Sequence, residues 1–293
     1  MYTITGATGN IGKVIARNLL QRGEKVRVIG RNAERLQTFA EKGAEVAVGS
    51  QDDLEFLTNA FRGATAVYYM TPLSYAAEDF TAHQNELGEV AQKAIQATGV
   101  SHVVNLSSMG AHLGDGVGPV NGLYDVEQLL DETDANVVHL RPTFFMENFY
   151  QSIPSIKSEG IIANPLREDL AMPMIATRDI GNVAAKLLIA HDWQGTQERE
   201  LLGPQNYTCP QVAQILGKAI NREVKFVRIP PEQMRQGLLA AGISASLADL
   251  LLEMYEALNL EVMVPTEMRN PENSTPTTME EFAQAFAQAY RQS

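Results

Sequence analysis

Gly6-Ala7-Thr8-Gly9-Asn10-Ile11-Gly12 stands between a first β-branched run, Tyr2 to Thr5, and a stretch with Ile11, Val14, Ile15 and Leu19 at helical spacing. In that context each glycine has a reason. The first permits a tight turn, the second lets the backbone approach a pyrophosphate, and the third lets helix and strand pack closely. The N–H groups and dipole of a helix N-terminus then favour the anion. Three glycines alone would fit any strand-to-helix turn; flanked by a strand and an amphipathic helix, they predict a dinucleotide site built from Gly6, Thr8, Gly9, Asn10, Ile11 and Gly12.

Working outward, short apolar runs continue to alternate with helical patterns. Strands are expected at 25–29, 44–48, 65–69, 102–106 and 136–140. Helices are expected at 33–41, 53–61 and 124–130, with a long one carrying Leu87, Val90, Ala91, Ala94 and Ile95 on one side. Successive parallel strands need a crossover, usually a helix, so the pattern predicts an α/β fold: a doubly wound parallel sheet of the Rossmann kind. Beyond Arg141-Pro142 the pattern loosens into helical stretches near 183–190, 210–220 and 231–239, joined by proline-rich links. The expected division is a dinucleotide-binding domain over 1–150 and a smaller, mainly helical substrate lobe over 151–293. The chain is expected to return to the first domain near 171–192.

The chain has 293 residues, 45% of them hydrophobic, enough for a large core, and 20% charged. No stretch approaches the roughly 18 consecutive apolar residues of a membrane span. A formal charge of −12, with the basic residues scattered, argues against nucleic acid as a partner. Cys209 is the single cysteine, so no intramolecular disulfide can form. Met1 to Thr5 leads directly into the glycine stretch and leaves no room for a secretion signal, so a cytoplasmic protein is expected. The oligomeric expectation stays open between monomer and homodimer.

The second expected strand ends at Gly30-Arg31-Asn32. An acid near this point would accept from the ribose 2′-hydroxyl of NAD, whereas an arginine suits the 2′-phosphate of NADP. No acid stands at the strand end, so Arg31 tilts the expectation to NADP(H), with NAD(H) as the second choice; the alternative for Arg31 is a solvated surface side chain.

Together with Arg31-Asn32, the stretches VVNLSSMGA (103–111), LRPTFFMEN (140–148) and ATRDIGNVA (176–184) make the chain resemble the NmrA-like group of atypical short-chain dehydrogenases. That group includes NAD(P)H-dependent quinone reductases, isoflavone-reductase-like enzymes, and regulators that sense the NADPH to NADP balance. The resemblance implies that Met70, Thr71, Pro72, Ser107, Ser108, Pro142, Thr143 and Phe144 line the cofactor. Ligands do sit at the carboxyl ends of parallel strands, which agrees; loop capping or core packing is the alternative for each. Where the family often reads G-D-x-x-D after its third strand, this chain has Gly49-Ser50-Gln51-Asp52-Asp53. Ser50 or Gln51 is left to hydrogen-bond near the adenine.

Typical short-chain dehydrogenases use Tyr-x-x-x-Lys, in which the lysine lowers the tyrosine pKa for proton exchange with a carbonyl. None of the nine tyrosines has a lysine four residues on. Tyr124 is the candidate acid–base group, but Gln128 follows it at that spacing, and a packing tyrosine is the alternative. The basic residue that family reductases commonly carry three positions before a Val-Glu pair is Leu123 here. The five histidines show no metal-ligand spacing, so no metal is expected. Ser107 and Ser108 lack the G-x-S-x-G turn of a hydrolase. Phe144, Phe145, Met146, Phe149 and Tyr150 read either as core of the second lobe or as an apolar wall beside the nicotinamide.

These readings predict an NAD(P)H-dependent oxidoreductase that passes hydride to a small apolar quinone- or enone-like acceptor without the Tyr-x-x-x-Lys pair. The alternative is a non-catalytic NADP(H) sensor acting through a regulatory protein; a biosynthetic enzyme acting on a polyketide-like substrate is a third reading.

Overall fold

The computed structural model describes residues 1–293. Its first half alternates β1 (Tyr2–Ile4), α1 (Asn10–Gln21), β2 (Val26–Gly30), α2 (Ala33–Ala40), β3 (Glu45–Val48), α3 (Leu54–Phe61), β4 (Ala66–Met70), α4 (Phe80–Thr98), β5 (His102–Leu106), α5 (Asn121–Asp131) and β6 (Asn136–Pro142). Caps set several of the boundaries. Side-chain oxygens of Asn32, Asp53 and Asp79 accept from the backbone N–H groups of Arg35, Phe56 and Ala82, fixing where α2, α3 and α4 begin. Gly99 ends α4 in a left-handed conformation, at φ 63°.

The rest of the chain runs through β7 (Phe144–Phe145), α6 (Ile153–Glu159), β8 (Ile161–Asn164), β9 (Met172–Ile175), α7 (Thr177–Ala190), β10 (Thr196–Leu201), β11 (Asn206–Tyr207), α8 (Cys209–Ile220), β12 (Lys225–Arg228), α9 (Pro231–Ala240), α10 (Ala245–Asn259) and α11 (Met279–Gln292). Seven strands form one sheet in the order β10-β6-β5-β4-β1-β2-β3, every pair parallel. Helices cover both of its faces. Along β4, Ala66 and Tyr68 face one cluster, with α1 and α7, while Val67 and Tyr69 face the other, with α3, α4 and α5. Val103 and Val104 in β5, and Val137 and Val138 in β6, split the same way. A strand buried on both faces reads as a near-continuous apolar run, and these do.

The chain comes back to this sheet after β9. Gly181 of α7 lies so close to α1 that a Cβ there would stand 2.7 Å from Val14 Cβ. Strand β10 then adds to the sheet edge beside β6. The second lobe packs a 27-residue core of its own and adds two small sheets, β11-β9-β7 and β12-β8, to its helices. Met109, Ala111, Val117 and Val120, in the loop after β5, belong to that core. The loop is thereby shared between the two parts. No helix is long and apolar enough to cross a membrane.

Candidate functional site

Strand order reverses between β1 and β4: the chain winds outward through β2 and β3, then crosses back to β4, β5 and β6. Crevices at the carboxyl ends of strands at such a switch point are where open α/β sheets bind ligands. Thr5 holds this seam together, its hydroxyl donating to the Tyr68 carbonyl at 3.1 Å and accepting from the Met70 N–H at 3.0 Å. That contact seats Met70 beneath Gly6.

The three glycines of the loop answer to different constraints. Gly6 has φ +59°, and a Cβ there would meet Met70 Sδ at 2.8 Å. A Cβ at Gly12 would run into the carbonyl oxygen of Gly6 and come within 2.8 Å of Ala7 Cα, backbone atoms that cannot yield. Gly9 differs. It is exposed, its φ of −78° suits any residue, and the nearest atom to an added Cβ is Gly6 O at 3.2 Å. The chain's own packing therefore demands Gly6 and Gly12 far more than Gly9, and the missing side chain at Gly9 leaves room for something outside the chain.

What that something would meet is a row of donors. Helix α1 has no side-chain cap, unlike α2, α3 and α4, and no acid in its first turn. Gly9 N–H donates to Gly6 O at 2.9 Å, but the N–H groups of Asn10, Ile11 and Gly12 have no acceptor in the chain. Uncapped N–H groups at a helix start, beside a glycine that clears the approach, fit a diphosphate. Asn10 turns its side chain aside, accepting from Lys13 Nζ at 2.9 Å; Ile11 is buried against the sheet.

One crevice, with about 180 Å³ of interior space, collects Gly6, Thr8, Arg31, Ser50, Gln51, Met70 and Pro72 from among the expected residues. Arg31 is exposed at its rim, and no acid pairs with it. Ile29, Leu73 and Leu87 give the crevice apolar walls, and Ser74, Asp52 and His83 complete its polar edge. Leu73, Ser74, His83 and Leu87 were not legible as site residues. The signal was there in the spacing of His83 and Leu87, one turn apart on α4, but a half-buried helix face reads as core. His83 Nδ1 lies 3.7 Å from Glu86 on the same helix.

The remaining expected residues lie further along the same sheet edge. Thr71, Ser107, Pro142 and Thr143 are buried at the ends of β4, β5 and β6. Main-chain bonds fix them: Ser107 N–H donates to Leu140 O at 2.8 Å and Thr143 N–H to Leu201 O at 3.0 Å. The Ser107 and Thr143 hydroxyls are nonetheless buried without any partner, so each keeps a donor and an acceptor free. Ser108 donates to Met109 O at 3.2 Å, a loop contact. The ring of Tyr124 lies against Gly114, where a Cβ would be 3.4 Å away.

The aromatic stretch divides. Met146 and Phe149 are buried in the second lobe's core, and Tyr150 stacks on Phe286 of α11 at 5.7 Å with the rings 5° from parallel. Phe144 and Phe145, in β7, remain half-buried next to the end of β6. Most of the stretch is core: Phe144 packs against the second lobe's cluster, 5.9 Å from the Phe149 ring, while Phe145 points the other way, against the first sheet's cluster. The acid beside Val126 is architectural. Glu127 accepts from Arg141 Nε at 3.0 Å and from Nη2, while Glu198 of β10 takes Nη1. No group of three His, Cys, Asp or Glu side chains is placed to hold a metal ion.

Residues 2–283 match the NmrA-like family, and the chain belongs to it. It is 27% identical to NAD(P)H azoreductase of Xenophilus azovorans, with 99% of each chain covered. It is 24% identical to quinone oxidoreductase 2 of Escherichia coli over 86% of each. Its fold is shared with the triphenylmethane reductase of Citrobacter sp., solved in complex with NADP(H): the TM-score is 0.82 at 21% identity, covering 98% of this chain and all of the other.

Proposed function

We propose that this NmrA-like chain is an NAD(P)H-dependent reductase, with NADP(H) its preferred cofactor and a flat apolar quinone- or enone-like molecule its acceptor. The observation that carries the reading is the uncapped start of α1 beside the open approach at Gly9, with Gly6 and Thr8 of the same loop lining the crevice that also holds Arg31. The diphosphate lies on the N–H groups of Asn10, Ile11 and Gly12, and Arg31 pairs with the 2′-phosphate at the rim. Relatives named as an azoreductase and a quinone oxidoreductase, matched over most of their length, support a redox reaction on conjugated acceptors. They also weigh against a sensor that turns nothing over.

Bound NADPH supplies the hydride. The chain's own part is to hold the acceptor over the nicotinamide. The free hydroxyls of Ser107 and Thr143 hydrogen-bond the nicotinamide end of the cofactor, since they are buried donors with nothing else to bond. Half-buried Phe144, packed on the second lobe's core, offers an apolar edge at the end of β6. A quinone is electrophilic enough for positioning to supply much of the acceleration, with the proton drawn from water. Tyr124 is the one phenol at the start of α5 and the candidate to deliver a proton where the acceptor needs one.

The test is direct. The purified protein, mixed with NADPH and a panel of quinones, enones and azo dyes, is followed at the nicotinamide absorbance near 340 nm. Turnover well above the uncatalysed rate is expected for at least one class. Tight NADP(H) binding with no turnover of any of them would overturn the reductase reading and leave the sensor.

A further inference from the structure

The base end of the crevice holds one polar group with nothing to do. Gln51 lines the crevice, and its Oε1 is buried with no hydrogen-bond partner. A buried amide oxygen left unpaired is costly, so a ligand donor at that place is the natural partner. The turn around it is fixed on both sides. Gly49 N–H donates to Gly30 O at 3.2 Å, Asp53 N–H donates to Ser50 O at 3.4 Å, and Asp53 caps α3 through the Phe56 N–H at 3.0 Å. Gly49 also lies directly on the Phe56 ring, where a Cβ would stand 2.5 Å away. Gln51 is thus presented from a rigid turn.

On one side the crevice is walled by the buried side chains of Ile29 and Leu87 and by Pro72, and on the other it is polar, with Ser50, Asp52, Ser74 and His83. A flat heterocycle with one hydrogen-bonding edge suits that space. With the diphosphate on α1 and the 2′-phosphate on Arg31, the slot takes the adenine.

Resting on the cofactor assignment above, we infer that Gln51 reads the exocyclic group at purine C6, and that it does so without regard to whether that group is an amine or a carbonyl. The reason is the chemistry of a carboxamide. It carries an acceptor oxygen and a donor nitrogen of nearly equal size, exchanged by a half-turn about the last side-chain bond. With the oxygen inward, it accepts from the 6-amino group of adenine; with the nitrogen inward, it donates to the 6-oxo group of hypoxanthine. A carboxylate at the same position accepts only. This chain is therefore tolerant of the deaminated cofactor at a point where an acidic residue would reject it.

Calorimetric titration of the protein with NADP⁺ and with nicotinamide hypoxanthine dinucleotide phosphate tests this without turnover. The two affinities are expected to agree within about threefold, a difference smaller than one hydrogen bond to a charged group. Gln51→Glu is expected to keep NADP⁺ and lose the hypoxanthine analogue by about tenfold or more, since an unpaired carboxylate then faces a carbonyl. Gln51→Met, of similar length but without donor or acceptor, is expected to weaken both equally. A wild-type preference for NADP⁺ beyond about tenfold, or an unchanged ratio in Gln51→Glu, would overturn the role of Gln51 while leaving the cofactor site in place. Failure of the wild type to bind either dinucleotide would overturn both.

Discussion

The proposed preference for NADP(H) rests on a single side chain, Arg31. It is exposed at the crevice rim, no carboxylate in the structure engages it, and the end of β2 offers no acid for a ribose hydroxyl. Arg31→Ala is expected to weaken NADP⁺ binding by about 1.5–3 kcal/mol, the range for hydrogen bonds to a charged partner, and to leave NAD⁺ nearly unchanged. Paired titrations check it. An equal loss for both dinucleotides would place Arg31 outside the phosphate contact. Cys209 lies at the other extreme: burial raises its thiol to about 11, against its ordinary value near 9, and it packs in the lobe's core beside Asn164. A neutral buried thiol takes no part in the redox chemistry of this site.

At the level of elements, what could be read from the sequence depended on how local the signal was. Strand β5 falls on its expected span, 102–106, and β2, β3 and β4 lie within one residue of theirs, because each has β-branched or aromatic residues at its centre, even though Arg27 and Asn105 interrupt β2 and β5 and β3 is an exposed edge strand. Helix α5 begins at Asn121, three residues before its expected start, since it grows directly out of the 3-10 turn at Gly118–Val120 and has no side-chain cap to announce it. The short strands of the second lobe, β7 and β11 of two residues each, pair only through long-range contacts and leave no local period. In the proposed site, Gly6 and Gly12 were legible because a positive φ and close backbone contact select glycine there. Ser107 and Thr143 were legible only through the family, as hydroxyls at strand ends have many uses.

Glu127 shows how an element is positioned by a residue whose place in the sequence does not explain it. Buried with Arg141, it ties α5 to β6, and through Glu198 the same guanidinium reaches β10. Helix α5 also carries Tyr124, so this contact sets where the phenol stands. Removing one partner of a buried pair strands the other charge, at a cost of about 3–5 kcal/mol. Glu127→Gln is expected at the lower end of that range, because half-exposed Glu198 still compensates Arg141. Urea unfolding monitored by circular dichroism measures it. A loss below about 1 kcal/mol would show that Glu198 alone suffices, as expected of a surface pair.

The molecule as a whole is held together by its return crossing. Ile180, Ala184, Leu188 and Leu201 come from the segment 177–201, yet they complete the cluster that covers one face of the first sheet, alongside Ile15, Leu19 and Tyr68. Strand β10 also pairs along most of β6. A piece ending at residue 150 contains every strand from β1 to β6 and still lacks these. It would expose side chains worth about 1.5–3 kcal/mol each when buried, and several such losses are comparable to the roughly 5–15 kcal/mol that stabilises a whole domain. Its other end fares no better, since Met109, Ala111 and Val117 would lose the second lobe's core. Residues 1–150 produced alone are therefore expected to show no cooperative urea transition and no fixed near-ultraviolet dichroism, whereas the full chain shows both. A sharp two-state transition in the short piece would mean that the sheet closes without its returning helix, and that the two parts are joined at the site instead of being built into one another.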